Sequence, residues 1–338
     1  MVVLDFHENT MYNYNCIIIF AIFKRRKMTL KKRILLIGSA RADLDLRVPA
    51  FAPDGGELYG DFDYGITPGG ALSLAAVTLT RLGGEVILCG CVGDDQYGRD
   101  LIQFYTDLGM DTRFIQCCKG AKTPVCLTED ASNGSRRRYV SSALSGALGA
   151  EQVEEAFTSL PDAVYVSLDV AQPAAVCAAA LAREKQLPAF FDGQYMAEDF
   201  PLADLGAVDL IALGADMTQR YTGIEPRDAQ SNLEAAVALA KMLKAKTYLF
   251  KYGVGGAFAY KGNFSYYIPY VEDADARYNE IFVPAMILEN LRSEKSVRAA
   301  RYASTVIALA SRNKRELIAS VPGETEVLRY ILEHEVEL

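Results

Sequence analysis

From Arg33 onward the chain alternates short runs rich in Val, Ile and Leu with longer stretches of helical period, and few architectures accept that alternation. ILLIG (34–38), EVILCGCVG (85–93), AVYVSLD (163–169), LPAFFD (187–192), AVDLIAL (207–213) and TYLFK (247–251) read as strands. Helix candidates lie between and after them, at 70–82, 97–108, 172–185, 228–244, 281–312 and 324–335. Strands that are apolar at every position need burial on both faces, which a parallel sheet flanked by helices supplies. The expected fold is therefore α/β: a three-layer sandwich around a mostly parallel central sheet.

Two segments break the rhythm. Residues 44–66 and 123–140 alternate apolar with polar positions and carry turn signals at Asp54-Gly55-Gly56 and Asn133-Gly134. They are expected to form hairpins of a small β lid, inserted into one large domain spanning residues 28–338 and standing over a cleft. Residues 1–27 read differently, with an apolar run CIIIFAIF followed by KRRK, too short to span a bilayer. Met28 precedes TLKKRILLIGSA, which reads like a natural beginning, so 1–27 is expected to be a leader or an upstream start, poorly ordered.

Composition excludes several function classes. A net charge of −8 without a basic cluster backed by aromatics argues against nucleic acid as a partner. Seven cysteines with no CxxC pair, and two histidines at the extremes, His7 and His334, argue against structural zinc and for reduced thiols in a cytoplasmic protein. GSARAD after the first strand lacks the glycine fingerprint of nicotinamide enzymes, and the peripheral histidines leave a Ser-His-Asp hydrolase without its base.

In an open α/β sheet the ligand crevice lies beyond the carboxyl ends of the strands. Asp43 falls five residues after Gly38, where a carboxylate can accept hydrogen bonds from paired hydroxyls of a polyol. Gly69-Gly70 opens a helix of small residues, which lets a ligand approach the backbone closely. Together with Arg81-Leu82-Gly83, the strand that follows and Val92-Gly93-Asp94-Asp95-Gln96-Tyr97-Gly98, this stretch resembles the amino-terminal signature of the ribokinase-like (PfkB type) carbohydrate kinases.

The resemblance covers about residues 33–335. It implies a ribokinase-like sandwich with a β lid, and ATP-dependent phosphorylation of a hydroxymethyl group on a sugar or nucleoside. Asp43, Gly69, Gly70 and Ser73 would then meet the substrate. Asp192, at the end of FFD, matches a position near the phosphates, and Lys251-Tyr252-Gly253-Val254-Gly255-Gly256 is similar to the family's nucleotide-side turn, giving Lys251, Gly253 and Gly256 a cofactor role. ATP and Mg²⁺ are the cofactors if the chain is active; no protein metal site is expected.

The chain departs from the family at positions that matter. The family's Asn after the Gly-Gly pair aligns with Leu74, and its Asn-x-x-Glu motif with Gly214 and Met217, beside Asp216. The Gly-Ala-Gly-Asp signature, whose amides cradle the transferred phosphoryl group and whose Asp is the base, aligns with Arg277, Tyr278, Asn279 and Glu280. Bulky side chains are expected in the anion's space, with Glu280 as base, Arg277 steadying phosphate and Asn279 on the cofactor side. Two expectations follow: an active, divergent sugar kinase, or a non-catalytic relative that keeps the sugar cleft without the phosphate site. A homodimer through the lid is expected as well; a membrane partner is not.

Overall fold

The computed structural model describes residues 31–141, 144, 146–251, 256–262, 264–269, 278–313, 317–334, 336 and 338. Residues 1–27, the expected leader, lie outside them. In chain order the strands are β1 Arg33–Ile37, β2 Arg41–Val48, β3 Asp63–Gly69, β4 Glu85–Gly93, β5 Asp111–Cys118, β6 Val125–Ala131, β7 Arg136–Val140, β8 Ala163–Ser167, β9 Ala189–Asp192, β10 Ala207–Gly214, β11 Lys244–Lys251, β12 Ala257–Lys261 and β13 Phe264–Ile268. The helices are α1 Gly70–Arg81, α2 Gln96–Asp107, α3 Ala150–Ala156, α4 Gln172–Glu184, α5 Ala215–Thr222, α6 Ala229–Ala240, α7 Asn279–Ser293, α8 Ser296–Arg312, α9 Leu317–Ser320 and α10 Glu324–Glu333.

Within the described residues, nine strands form one sheet in the order β13-β12-β11-β10-β9-β8-β1-β4-β5. Pairing is parallel from β11 to β5 and antiparallel for β12 and β13 at one edge. The alternation of side chains along β1 shows why its run had to be apolar throughout. Ile34 and Leu36 join a core with α1, α7 and α8, whereas Leu35 and Ile37 join a second core with α3, α4 and α6. Each helical layer is thus welded to one of the two apolar faces of the sheet, as the sequence pattern predicts.

The two irregular segments do meet in one sheet, of four strands in the order β3-β2-β6-β7. Within it β2 pairs antiparallel with β3 and β6 with β7, while β2 and β6 run parallel and join the two hairpins. The motif at 92–98 fastens this small sheet to the large one. Asp95 caps α2 through Gly98 N at 3.0 Å and also accepts from Thr123 N at 2.9 Å and Thr123 Oγ1 at 2.6 Å. Burial opposes ionisation of Asp95, but those hydrogen bonds outweigh it and hold the carboxyl below its usual range. A Cβ on Gly93 would lie 2.2 Å from Thr123 N, so only glycine lets β4 pass this close to the chain entering β6.

Three features depart from the pattern reading. The stretch 281–312 is two helices, because Glu294 takes a left-handed conformation (φ 57°) and closes α7 with its N–H on Asn290 O. A left-handed cap without glycine leaves little local signal. The hairpin β12–β13 and the strand β5 were not expected either: their polar positions face solvent at the sheet's edges, which blurs the apolar run.

Candidate active site

The small sheet stands over a cavity of about 840 Å³, floored by Gly69, Gly70 and Leu74 and reaching Glu280. Side-chain alternation along β2 turns Arg41, Asp43, Asp45 and Arg47 toward it. Asp43, the predicted polyol ligand, is held by Arg41, whose Nε donates to Oδ1 at 2.6 Å and whose second terminal nitrogen donates to Oδ2 at 3.4 Å. Burial works against the Arg41 charge, but the Asp43 hydrogen bond and charge outweigh it and raise its pKa above the ordinary arginine value. Arg41 carried no signal beyond its place two residues before Asp43, on the same strand face.

The glycine pair is explained by contacts with β2 rather than by a ligand alone. Arg41 pairs with Gly69 across the β2–β3 ladder, and a Cβ on Gly69 would sit 2.0–2.4 Å from the Asp43 carboxyl atoms. Gly70 has φ +82°, and a Cβ there would lie 2.7 Å from Ser39 O. Gly69→Ala is therefore expected to displace Asp43, lowering polyol affinity by about tenfold or more and costing ~1–3 kcal/mol of stability. Calorimetric titration and urea unfolding check both; unchanged affinity would mean that Asp43 does not grip the ligand. Ser73 faces inward: it is fully buried, and its hydroxyl bonds Gly69 O and the Tyr105 hydroxyl, so it braces the turn from behind.

Glu280 lies in the first turn of α7, part-exposed to the cavity, and accepts a hydrogen bond from the Tyr195 hydroxyl. Burial pushes its carboxyl pKa up; the Tyr195 bond and the Lys251 and Arg41 charges oppose that, and Asp192 adds to it. Pro284 lacks the N–H that would bond the Glu280 carbonyl, which loosens the helix at this turn. The N-cap of α7, Tyr278, makes no side-chain cap hydrogen bond. First-turn amides without a side-chain cap form a positive end suited to an anion.

Behind Glu280, at the carboxyl ends of β9 and β11, Lys251 Nζ lies 3.0 and 3.1 Å from the two oxygens of Asp192. Both residues are buried, and Asp192 also accepts from Tyr165 Oη at 3.1 Å and Gln194 N at 3.0 Å. The two were predicted separately as cofactor residues; the structure makes them one ion pair. Gly256 has φ +119°, and a Cβ there would meet Ile268 O at 2.3 Å, so this turn needs glycine. Gly253 and Arg277 lie outside the described residues.

Tyr278 corrects one expectation. Its ring does not fill the cleft but is buried in the core, with its hydroxyl donating to Ser320 Oγ at 3.4 Å. Asn279 opens α7, and its buried Oδ1 has no hydrogen-bond partner among the described residues. Asp216 is exposed in the first turn of α5, while Met217 packs on the core. Pattern reading also missed Tyr195, and Ser39 with Asp169: Ser39 donates to that carboxylate through both its backbone N–H and its hydroxyl. Ser39 directly follows one predicted strand and Asp169 ends another, which was the available signal.

The PfkB family carbohydrate kinase profile matches residues 31–276. Ribokinase of Haemophilus influenzae is 25% identical over 317 residues, which cover 90% of this chain and 100% of that protein. Aminoimidazole riboside kinase of Salmonella typhimurium is 38% identical over a shorter stretch of 69 residues, 20% of this chain and 22% of the relative. Among solved structures, Arabidopsis thaliana ribokinase complexed with ribose and ATP superposes with a TM-score of 0.79 at 17% identity, covering 90% of this chain and 99% of that one. Giardia lamblia ribokinase gives 0.80 at 17% identity, covering 90% and 100%. The nine-stranded sheet, its helical layers and the small lid are thus the ribokinase-like fold, and the chain belongs to the PfkB family of carbohydrate kinases.

Proposed function

We propose that this protein phosphorylates a hydroxymethyl group of a sugar or nucleoside with ATP as donor. The observation that carries the reading is that one cavity places the carboxylates of Asp43 and Glu280 on its wall, with the close-packed Gly69-Gly70 turn as its floor. Asp43 receives substrate hydroxyls, and Glu280 takes the proton of the attacking hydroxyl. Its raised pKa makes it a stronger base than a solvated carboxylate.

ATP with Mg²⁺ supplies the electrophilic γ-phosphoryl group. The residues fit an anion at this point: the N-cap Tyr278 puts no side-chain cap on the first turn of α7, and Lys251, though paired with Asp192 behind Glu280, still adds positive charge at Glu280. Among the described residues no group of three acidic, His or Cys side chains is placed to hold a metal, so Mg²⁺ would arrive coordinated by the nucleotide's phosphates and water.

A second reading is a sugar-binding protein without turnover. It draws on the hydrogen bonds that already occupy both carboxylates, Arg41 on Asp43 and Tyr195 on Glu280. ADP-release-coupled ATP turnover against a broad panel of sugars and nucleosides separates the two. Turnover above background with at least one of them is expected; silence across the panel, with sugar binding that Mg²⁺-ATP leaves unchanged, establishes the second reading instead.

The same proposal includes a homodimer through the lid. Its outer face presents a row of Ile66, Leu44, Leu127 and Tyr139 across four paired strands, with Ile66 53% and Tyr139 55% exposed. The free cysteines among the described residues suit a reducing cytoplasm.

A further inference from the structure

Four arginines face the cavity, and three of them are matched by lid carboxylates: Arg41 by Asp43, Arg47 by Asp63 at 2.9 Å and Arg136 by Asp130 at 2.5 Å. Arg138 is the fourth. It stands on the edge strand β7 opposite Thr128, and its terminal nitrogen reaches Cys126 Sγ at 3.5 Å, a weak acceptor. Among the described residues no carboxylate lies within ion-pair distance of it.

The charges around Arg138 leave it uncompensated. Asp130, on the neighbouring strand β6 and the same face, is engaged by Arg136, and Asp45 is exposed on β2 with Thr128 of β6 between it and Arg138. Glu280 is already bonded to Tyr195, and burial biases it toward its neutral form. Burial and Glu280 push the Tyr195 hydroxyl up, and the charges of Arg41 and Arg138 both oppose that push, so both guanidinium groups act on the same hydroxyl. Arg41 gives Asp43 only its Nε–H and one terminal N–H, so the rest of its fork remains available.

A neutral sugar would cover Arg138 and offer it no countercharge, and a cation covered without one loses hydration without compensation. A guanidinium fork instead matches a carboxylate or phosphate, which it binds by charge-assisted hydrogen bonds. We propose that the substrate is an acidic sugar, a polyol bearing a carboxylate or phosphate besides the hydroxyl to be phosphorylated, and that Arg138 together with Arg41 selects it by binding that group. The inference rests on the kinase reading of this cavity and names its substrate class. Asp43 and Asp45 accept the sugar's hydroxyls, while Thr128 Oγ1 is placed beside Arg138 to donate to the anion.

The test compares three ligands of one carbon skeleton: a neutral aldose, the aldonic acid and the aldose phosphate. Each is titrated calorimetrically without nucleotide and assayed for Mg²⁺-ATP turnover, in the wild type, Arg138→Ala and Arg138→Lys. Arg138 lies on an exposed edge strand, where truncation leaves the core intact. At least one acidic ligand is expected to bind about tenfold or more tightly than the aldose, and which one tells carboxylate from phosphate. Arg138→Ala should bring that ratio toward one, and Arg138→Lys should retain part of it. If neither acidic ligand outbinds the aldose, or the advantage survives Arg138→Ala, the inference falls. Acid-selective binding without turnover of any ligand would overturn the kinase reading and leave the selection standing, whereas turnover of the aldose without acid preference would do the reverse.

Discussion

Glu280→Gln is expected to lower kcat by about 10²–10⁴-fold while leaving sugar affinity nearly unchanged. The amide keeps an oxygen able to accept from the Tyr195 hydroxyl, so the local packing survives. What disappears is the ability to take a proton. The wild-type rate should fall as pH drops through a value above the ordinary glutamate range, because Glu280 works only when ionised and burial favours its protonated form.

Stability moves the other way. A carboxyl with a raised native pKa binds its proton more firmly in the folded state, so it costs stability as pH rises above the unfolded value, and the cost is complete above the native one. Glu280→Gln should therefore be at least as stable as the wild type at neutral pH, with no gain in acid. Thermal melts across pH read this directly. A variant that keeps its rate, or that loses rate only because it unfolds, would remove Glu280 from the role of base.

Lys251→Met is expected to have the largest effect on stability. Asp192 would remain buried with Tyr165 and the Gln194 amide but without its cation, and breaking a buried pair from one side costs about 3–5 kcal/mol. Adding Asp192→Asn should restore much of the stability, because no charge is then left in the interior. Urea unfolding of the two single variants and the double variant measures the coupling. A single variant within about 1 kcal/mol of the wild type would show that water reaches the pair.

The site was legible in the sequence where backbone demands reveal it. Gly69 and Gly70 stand where β3 and α1 crowd β2, and no other residue fits the observed distances. Asp192 and Lys251 stood at strand ends and Asp43 five residues past the first strand, in the region where an α/β sheet gathers its ligands. Their pairings were not legible. Tyr195 and Glu280 are 85 positions apart, and Asp192 and Lys251 are 59.

The alternation of buried strands and amphipathic helices, which follows from the burial each residue needs, determined the layers, the direction of the central strands and the existence of a separate polar-faced lid. Only the tertiary structure decided that Arg41 grips Asp43, that the Tyr278 ring enters the core instead of the cleft, and that Arg138 faces the cavity without an acid of its own among the described residues. Local sequence encodes backbone conformation and burial, whereas hydrogen-bond partners and net charge at a point depend on which distant elements pack together.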